Sequence, residues 1–189
     1  MGETQHNAEA FERLAAPYER QIYYICLRIM GNEFEAQDCA QDAMLRAFRA
    51  MNTFRGDAKI STWLYTIAHR ACMDALRKRK ADVSLESLSQ EGWDPPDTAP
   101  TPYAHLEQNE RKRLLGEALK RLSDEQRAAV VMVDLQGLSY EEAAQVMEVP
   151  LGTLKSRIVR ARQALADLLS QYTELFAPNL RHNAERRAN

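Results

Sequence analysis

Glycine and proline are scarce in this chain of 189 residues, seven of each, which removes most of the material for tight hairpins and favours helices over an all-β fold. Its three cysteines, Cys26, Cys39 and Cys72, are odd in number and form no CxxC pair, so neither a disulfide framework nor a zinc site is expected. His69 and Cys72 lie three apart, but two ligands do not make a metal site, and no metal or other cofactor is expected. P-loop, dinucleotide-fingerprint and serine-elbow motifs are all missing. Paired acids such as Glu141 and Glu142 fit helix capping better than acid–base work, which needs carboxyls converging in a pocket. An enzyme is therefore not expected.

Long apolar runs are missing as well. The stretch Ala128 to Val133 falls far short of the ~20 residues a helix needs to span a bilayer, and no charged segment followed by an apolar run opens the sequence. A cytoplasmic protein without membrane insertion is expected. Charge is unevenly distributed along the chain. Residues 81–110 hold no Lys or Arg and 7 Asp or Glu, whereas residues 1–80 hold 12 basic and 10 acidic residues and residues 111–189 hold 13 and 10. The net charge of -2 thus hides two mildly basic ends around an acidic middle.

The acidic stretch 81–104 also carries most of the prolines, which is linker composition. Leu85, Leu88 and Trp93 could dock on a neighbouring surface. Fully extended, such a linker reaches at most ~80 Å. The chain accordingly divides into an N-terminal helical domain over 5–80, the flexible acidic linker over 81–104, a C-terminal domain over 105–175 and a tail over 176–189. The expected fold is all-α, with two small helical domains.

In the C-terminal domain a helix over about 109–122 precedes Ser123, a cap with Gln126 at the third position, and a second helix through Leu135 that Gly137 ends. Ser139 caps a third helix, with Glu142 in capping-box position and Glu141 near the positive end of the dipole. Ala143, Ala144 and Met147 form its inward face. Pro150 and Gly152 punctuate a turn, and Thr153 is a plausible cap for a fourth helix. Along that helix Leu154, Ile158, Ala161 and Leu165 recur at core spacing. Lys155, Ser156, Val159, Arg160 and Arg162 lie on the remaining surface, with Arg157 adding charge. An ordinary hairpin with a solvated basic face would show such a pattern too. Four cations against the single late acid Asp167, following a turn of this geometry, favour a helix-turn-helix that enters the DNA major groove.

The N-terminal domain carries two stripes on one helix. Ala36, Ala40, Ala43, Met44, Ala47, Phe48 and Met51 form an apolar face, and Asp38, Gln41, Asp42 and Leu45 form a separate acidic one. An acidic face with a lone leucine is most often plain solvated surface. It is equally suited to a basic helical partner, with Leu45 as the apolar anchor. A loop follows and then a helix from about Trp63, with Leu64, Ile67, Ala68, Ala71, Cys72 and Ala75 inward and Thr66, His69, Arg70, Met73 and Arg77 outward. Phe54, Arg55, Lys59, Ser61 and Thr62, backed by Trp63 and Tyr65, supply cations, hydroxyls and aromatic faces suited to an extruded base and a single strand. Purely structural duty for the aromatics, Trp63 above all, is the alternative.

The segments DCAQDAMLRAFRAMNTFRG, STWLYTIAHRACMDALRKRK and LSDEQRAAVVMVDLQGLSYEEAAQVMEVPLGTLKSRIVRARQAL resemble the two modules of an extracytoplasmic-function (ECF) sigma factor of bacterial RNA polymerase, in the expected order. The resemblance implies that Asp38, Gln41, Asp42 and Leu45 bind helices of the core polymerase clamp; where many relatives have glutamate, Asp42 keeps the charge with shorter reach. It implies that Arg55, Lys59, Ser61, Thr62, Trp63, Thr66, His69 and Arg70 serve the minus-ten promoter element. It places Lys155, Ser156, Val159 and Arg160 against minus-thirty-five bases, with Thr153, Arg157 and Arg162 beside them, the two arginines suited to phosphates. Core RNA polymerase, promoter DNA and an anti-sigma factor are the implied partners. In the free protein the two modules are expected to tumble partly independently. The rival, a stand-alone helix-turn-helix regulator, would need a ligand pocket or phosphoacceptor domain, and the N-terminal module shows no βαβ alternation.

Overall fold

The structure, a computed structural model, describes residues 2–54, 56, 59–83 and 102–172; the greater part of the acidic linker, Arg55 and the tail lie outside the described residues. Seven α-helices are described: α1 (Gly2–Met30), α2 (Glu33–Ala50), α3 (Ile60–Val83), α4 (Pro102–Lys120), α5 (Asp124–Val130), α6 (Tyr140–Met147) and α7 (Leu151–Leu169). No strand occurs among the described residues, and no helix there is long and apolar enough to cross a membrane.

Helices α1 to α3 form one bundle. Gly31, at φ +70°, turns the chain out of α1, and the side chain of Asn32 accepts from the Glu35 N–H at 2.9 Å to start α2. Small residues let the helices close up: Ala36, Cys39, Ala43 and Ala47 are buried on one face of α2. Ile22, Ile25, Ile29, Leu64 and Leu76 fill the space between. Cys26, Cys39 and Cys72 are free, buried and part of one cluster.

The C-terminal helices follow their caps. Ser123 accepts from the Gln126 N–H at the start of α5. Helix α5 widens into a π-helical turn over Val131–Leu135, where the Gln136 N–H reaches the Val131 carbonyl. Ser139 and Glu142 form the full capping box of α6. That helix ends at Glu148 in the left-handed region, φ +54°, and Pro150 leads directly into α7. Leu154, Ile158 and Ala161 are the buried positions of α7, as their spacing requires.

Four local expectations change. Helix α7 begins at Leu151, so Thr153 lies inside its first turn and is not the cap. Helix α3 begins at Ile60, one turn before Trp63. Helix α4 starts at Pro102, where linker was expected. The two helical domains also pack against each other, where partly independent tumbling was expected: one buried cluster runs from Ile25, Ile29 and Leu64 of the first to Met132, Val146 and Ile158 of the second. A smaller cluster of Leu119, Leu122, Val130 and Ala161 is private to the second.

Arg127 fastens this junction. It is 5% exposed, and its guanidinium donates to the Ile29 carbonyl at 2.5 Å, the Leu122 carbonyl at 3.2 Å and Asp124 at 3.1 Å. Burial draws its pKa down and the Asp124 carboxylate opposes that. Lys80 of α3 reaches the same carboxylate at 2.6 Å.

Candidate nucleic-acid and partner interfaces

Three surfaces carry the residues singled out by sequence. On α2, Asp38, Gln41 and Leu45 are exposed, Leu45 to 47%. Asp42 is half-buried and holds Arg46 at 2.7 Å, which in turn holds Asp74 of α3 at 2.8 Å. Both carboxylates raise the Arg46 pKa, Asp74 first. Asp42 is therefore engaged in tying α2 to α3 at the margin of the stripe. Phe34, which sequence periodicity did not single out, stands on α2 at 74% exposure.

The second surface is the start of α3. The rings of Phe54 and Trp63 lie 5.3 Å apart, tilted by 44°, so Trp63 has a structural contact and is still half-exposed. Ser61 is half-buried. Thr62 is buried, and its carbonyl accepts from the Thr66 hydroxyl at 2.8 Å. Lys59 is exposed and held by Glu142 at 2.7 Å. His69, expected on the outer face, is 8% exposed because α6 packs on α3. Burial pushes its pKa down to about 4, Glu148 works against that, and Arg157 and Arg70 add to it. Arg70 makes a two-pronged ion pair with Glu148, with Nε 2.9 Å from Oε2 and the second contact shorter. Glu142 was legible in sequence only as a capping residue, and Glu148 was not singled out. In the fold Glu142 meets Lys59, just before α3, and Glu148 meets Arg70 of α3, each from more than seventy residues away.

The third surface is α7. Lys155, Ser156, Val159 and Arg160 are exposed, Val159 to 67%, and lie across the helix from Leu154, Ile158 and Ala161. The Ser156 hydroxyl donates to the Thr153 carbonyl at 2.9 Å, and its oxygen can still accept a hydrogen bond. Thr153 and Arg157 are half-buried, Arg157 close enough to His69 to depress its pKa. Arg162 is engaged elsewhere: it grips Asp134 through two contacts of 2.6 and 3.0 Å and donates to the Tyr140 hydroxyl at 3.3 Å. That ion pair raises its pKa and anchors α7 to the π-helical turn.

Helix α7 is thus the second helix of a helix-turn-helix with an open cationic face, joined to a helical bundle with an open acidic one. Comparison with known proteins agrees. Residues 14–81 match the family described as Sigma-70 region 2, and residues 112–165 match Sigma-70, region 4. The chain is 35% identical over 162 residues to the RNA polymerase sigma-H factor of Pseudomonas aeruginosa, covering 82% of this chain and 84% of that protein. It is 40% identical over 163 residues to the ECF RNA polymerase sigma factor SigM of Mycobacterium tuberculosis, covering 85% and 77%. Among solved structures it resembles the sigma factor RpoE bound to the anti-sigma factor NepR from Bartonella quintana, with a TM-score of 0.71 at 24% identity, over 86% of this chain and 98% of that one. The chain belongs to the ECF sigma factors of RNA polymerase. It is an alternative sigma factor that directs promoter-specific transcription, and not a stand-alone regulator.

Proposed function

We propose a division of labour within that activity. The domain over 5–80 binds the core polymerase through Asp38, Gln41 and Leu45, with Asp42 at the edge. Its segment 52–62 and the face of α3 from Trp63 to Arg70 hold the melted minus-ten element. The domain over 105–175 reads minus-thirty-five duplex through Lys155, Ser156, Val159 and Arg160, with Arg157 on phosphate. The observation that carries this is the helix-turn-helix face: four side chains able to meet base edges are exposed on α7 opposite its buried residues.

The closed packing supports an order of events. Lys59 and Arg70 are occupied by Glu142 and Glu148, and His69 and Thr62 are buried, so minus-ten reading requires α6 to leave α3. Unstacking and flipping a base costs a few kcal/mol, more than a small module supplies alone. Core polymerase, by holding both modules and two DNA elements at once, supplies it through effective concentration along the linker segment 81–104. The chain contributes recognition in the cytoplasm, and phosphodiester chemistry belongs to the polymerase. An anti-sigma factor that stabilises this closed arrangement keeps the protein inactive; the sigma factor RpoE, similar in fold, is solved in complex with an anti-sigma factor.

Gel filtration with core polymerase tests the first step. Co-elution of the wild type, and its loss in Asp38→Ala and Gln41→Ala, is the expected result. Removing one partner of such a contact costs about 2 kcal/mol or more. Unaltered co-elution of both variants would return this face to plain solvent exposure.

A further inference from the structure

Helix α2 presents one more residue on its open side. A helix turns 100° per residue, so Phe34, Asp38, Gln41 and Leu45 fall within a sector of about 60° and run along the helix for about 16 Å. Ala36, Cys39, Ala43 and Ala47, the buried residues of α2, centre on the opposite side. An isolated exposed leucine is ordinary. Two large apolar side chains three turns apart, in line with an acid and an amide and diametrically away from the core, form a ridge.

Among the described residues Phe34 has no structural duty that accounts for its identity. It packs with neither buried cluster and makes no ring contact among the described residues. The start of the helix is secured without it, since Asn32 caps the first turn. Its sequence neighbours are tied down: Glu33 accepts from the Tyr23 hydroxyl at 3.3 Å, and Glu35 holds Arg79 of α3 at 3.0 Å. The ring thus projects from a turn fixed on both flanks, which lowers the ordering cost of binding.

We infer that Phe34 is a second apolar anchor of the polymerase-binding face, so that α2 grips its partner at both ends of the ridge, Phe34 and Leu45, with Asp38 and Gln41 between. The inference rests on the reading that this face binds core polymerase. Its chemistry specifies the partner surface: two apolar sites about 16 Å apart, with basic or hydrogen-bonding side chains between them. Asp38 is exposed and belongs to no ion pair among the described residues, which leaves its charge for that cation.

Fluorescence titration of the full chain with core polymerase decides, using wild type, Phe34→Ala, Phe34→Leu and Asp38→Ala, with thermal melts as a check on folding. Phe34→Ala is expected to raise Kd about tenfold or more with an unchanged melt, and Phe34→Leu to recover part of the loss. Weakened binding in Asp38→Ala with wild-type affinity in Phe34→Ala would overturn the inference and leave the polymerase-binding face in place. Absence of binding by the wild type would overturn both. A free-chain dimer that Phe34→Ala abolishes would also overturn it, by assigning the ridge to a second copy.

Discussion

Arg70 of α3 and Glu148 at the end of α6 form a two-pronged ion pair across the junction of the two modules. The arginine belongs to the surface assigned to the minus-ten element, and the glutamate belongs to the DNA-reading module. Each is more than half exposed, so the pair adds at most ~1 kcal/mol. A contact that weak is suited to being exchanged for a phosphate. Lys59 and Glu142 repeat the arrangement at the other end of α6.

Glu142→Gln with Glu148→Gln should therefore leave the thermal midpoint within a few degrees of wild type, because both pairs are solvent-screened. Affinity for single-stranded minus-ten DNA should rise, since Lys59 and Arg70 are released. Filter binding at low and high salt measures it. Unchanged affinity would mean that neither cation meets the strand.

Arg127 behaves differently because it is buried. Arg127→Met removes the donor of the Ile29 and Leu122 carbonyls, while Lys80 still holds Asp124. A loss of about 3 kcal/mol in urea unfolding is expected. Small-angle scattering should show a larger particle as α1 and α5 separate. A loss below ~1 kcal/mol would remove Arg127 as the fastener of the junction.

His69 gives the junction a pH dependence. Its pKa is near 6.5 in an unfolded chain and about 4 in the fold, so between those values only the unfolded chain takes up the proton. Its contribution is complete above pH 6.5 and is lost as pH falls from 6.5 towards 4. From pH 7 to 5 this amounts to about 2 kcal/mol. Urea titrations at the two pH values should show that loss in wild type, reduced in His69→Leu. An NMR titration of the imidazole midway near 6.5 would contradict its burial beneath α6.

Three arginines of α7 should separate by role. Arg160→Ala is expected to cost about 1–3 kcal/mol at one promoter position, and Arg157→Ala to weaken binding evenly and reduce the salt slope. Arg162→Ala should instead lower the stability of the C-terminal domain by up to ~1 kcal/mol through Asp134, with the salt slope unchanged. A promoter-variant scan at several salt concentrations distinguishes the three.

The helix-turn-helix was legible because its determinants are local: a capping box within four residues, and core positions Leu154, Ile158 and Ala161 at helical spacing. Helix starts were less so. Pro150 and Gly152 read as a turn, yet a glycine in a first turn is tolerated and α7 simply begins at Leu151. The burial of His69 and the meeting of Cys26, Cys39 and Cys72 were not legible. Periodicity places a residue on a face but does not say which distant helix will cover it. The ion pair of Arg162 was not legible for the same reason, its partner Asp134 lying 28 residues away.

The most direct measurement is transcription from fragmented genomic DNA by purified core polymerase with and without this protein, with transcript 5′ ends sequenced. For a sigma factor that reads two elements, new 5′ ends appear only when the protein is present. They lie downstream of one shared pair of motifs about two helical turns apart, and they vanish together in Asp38→Ala with Phe34→Ala. Transcript ends that are the same with and without the protein would contradict it.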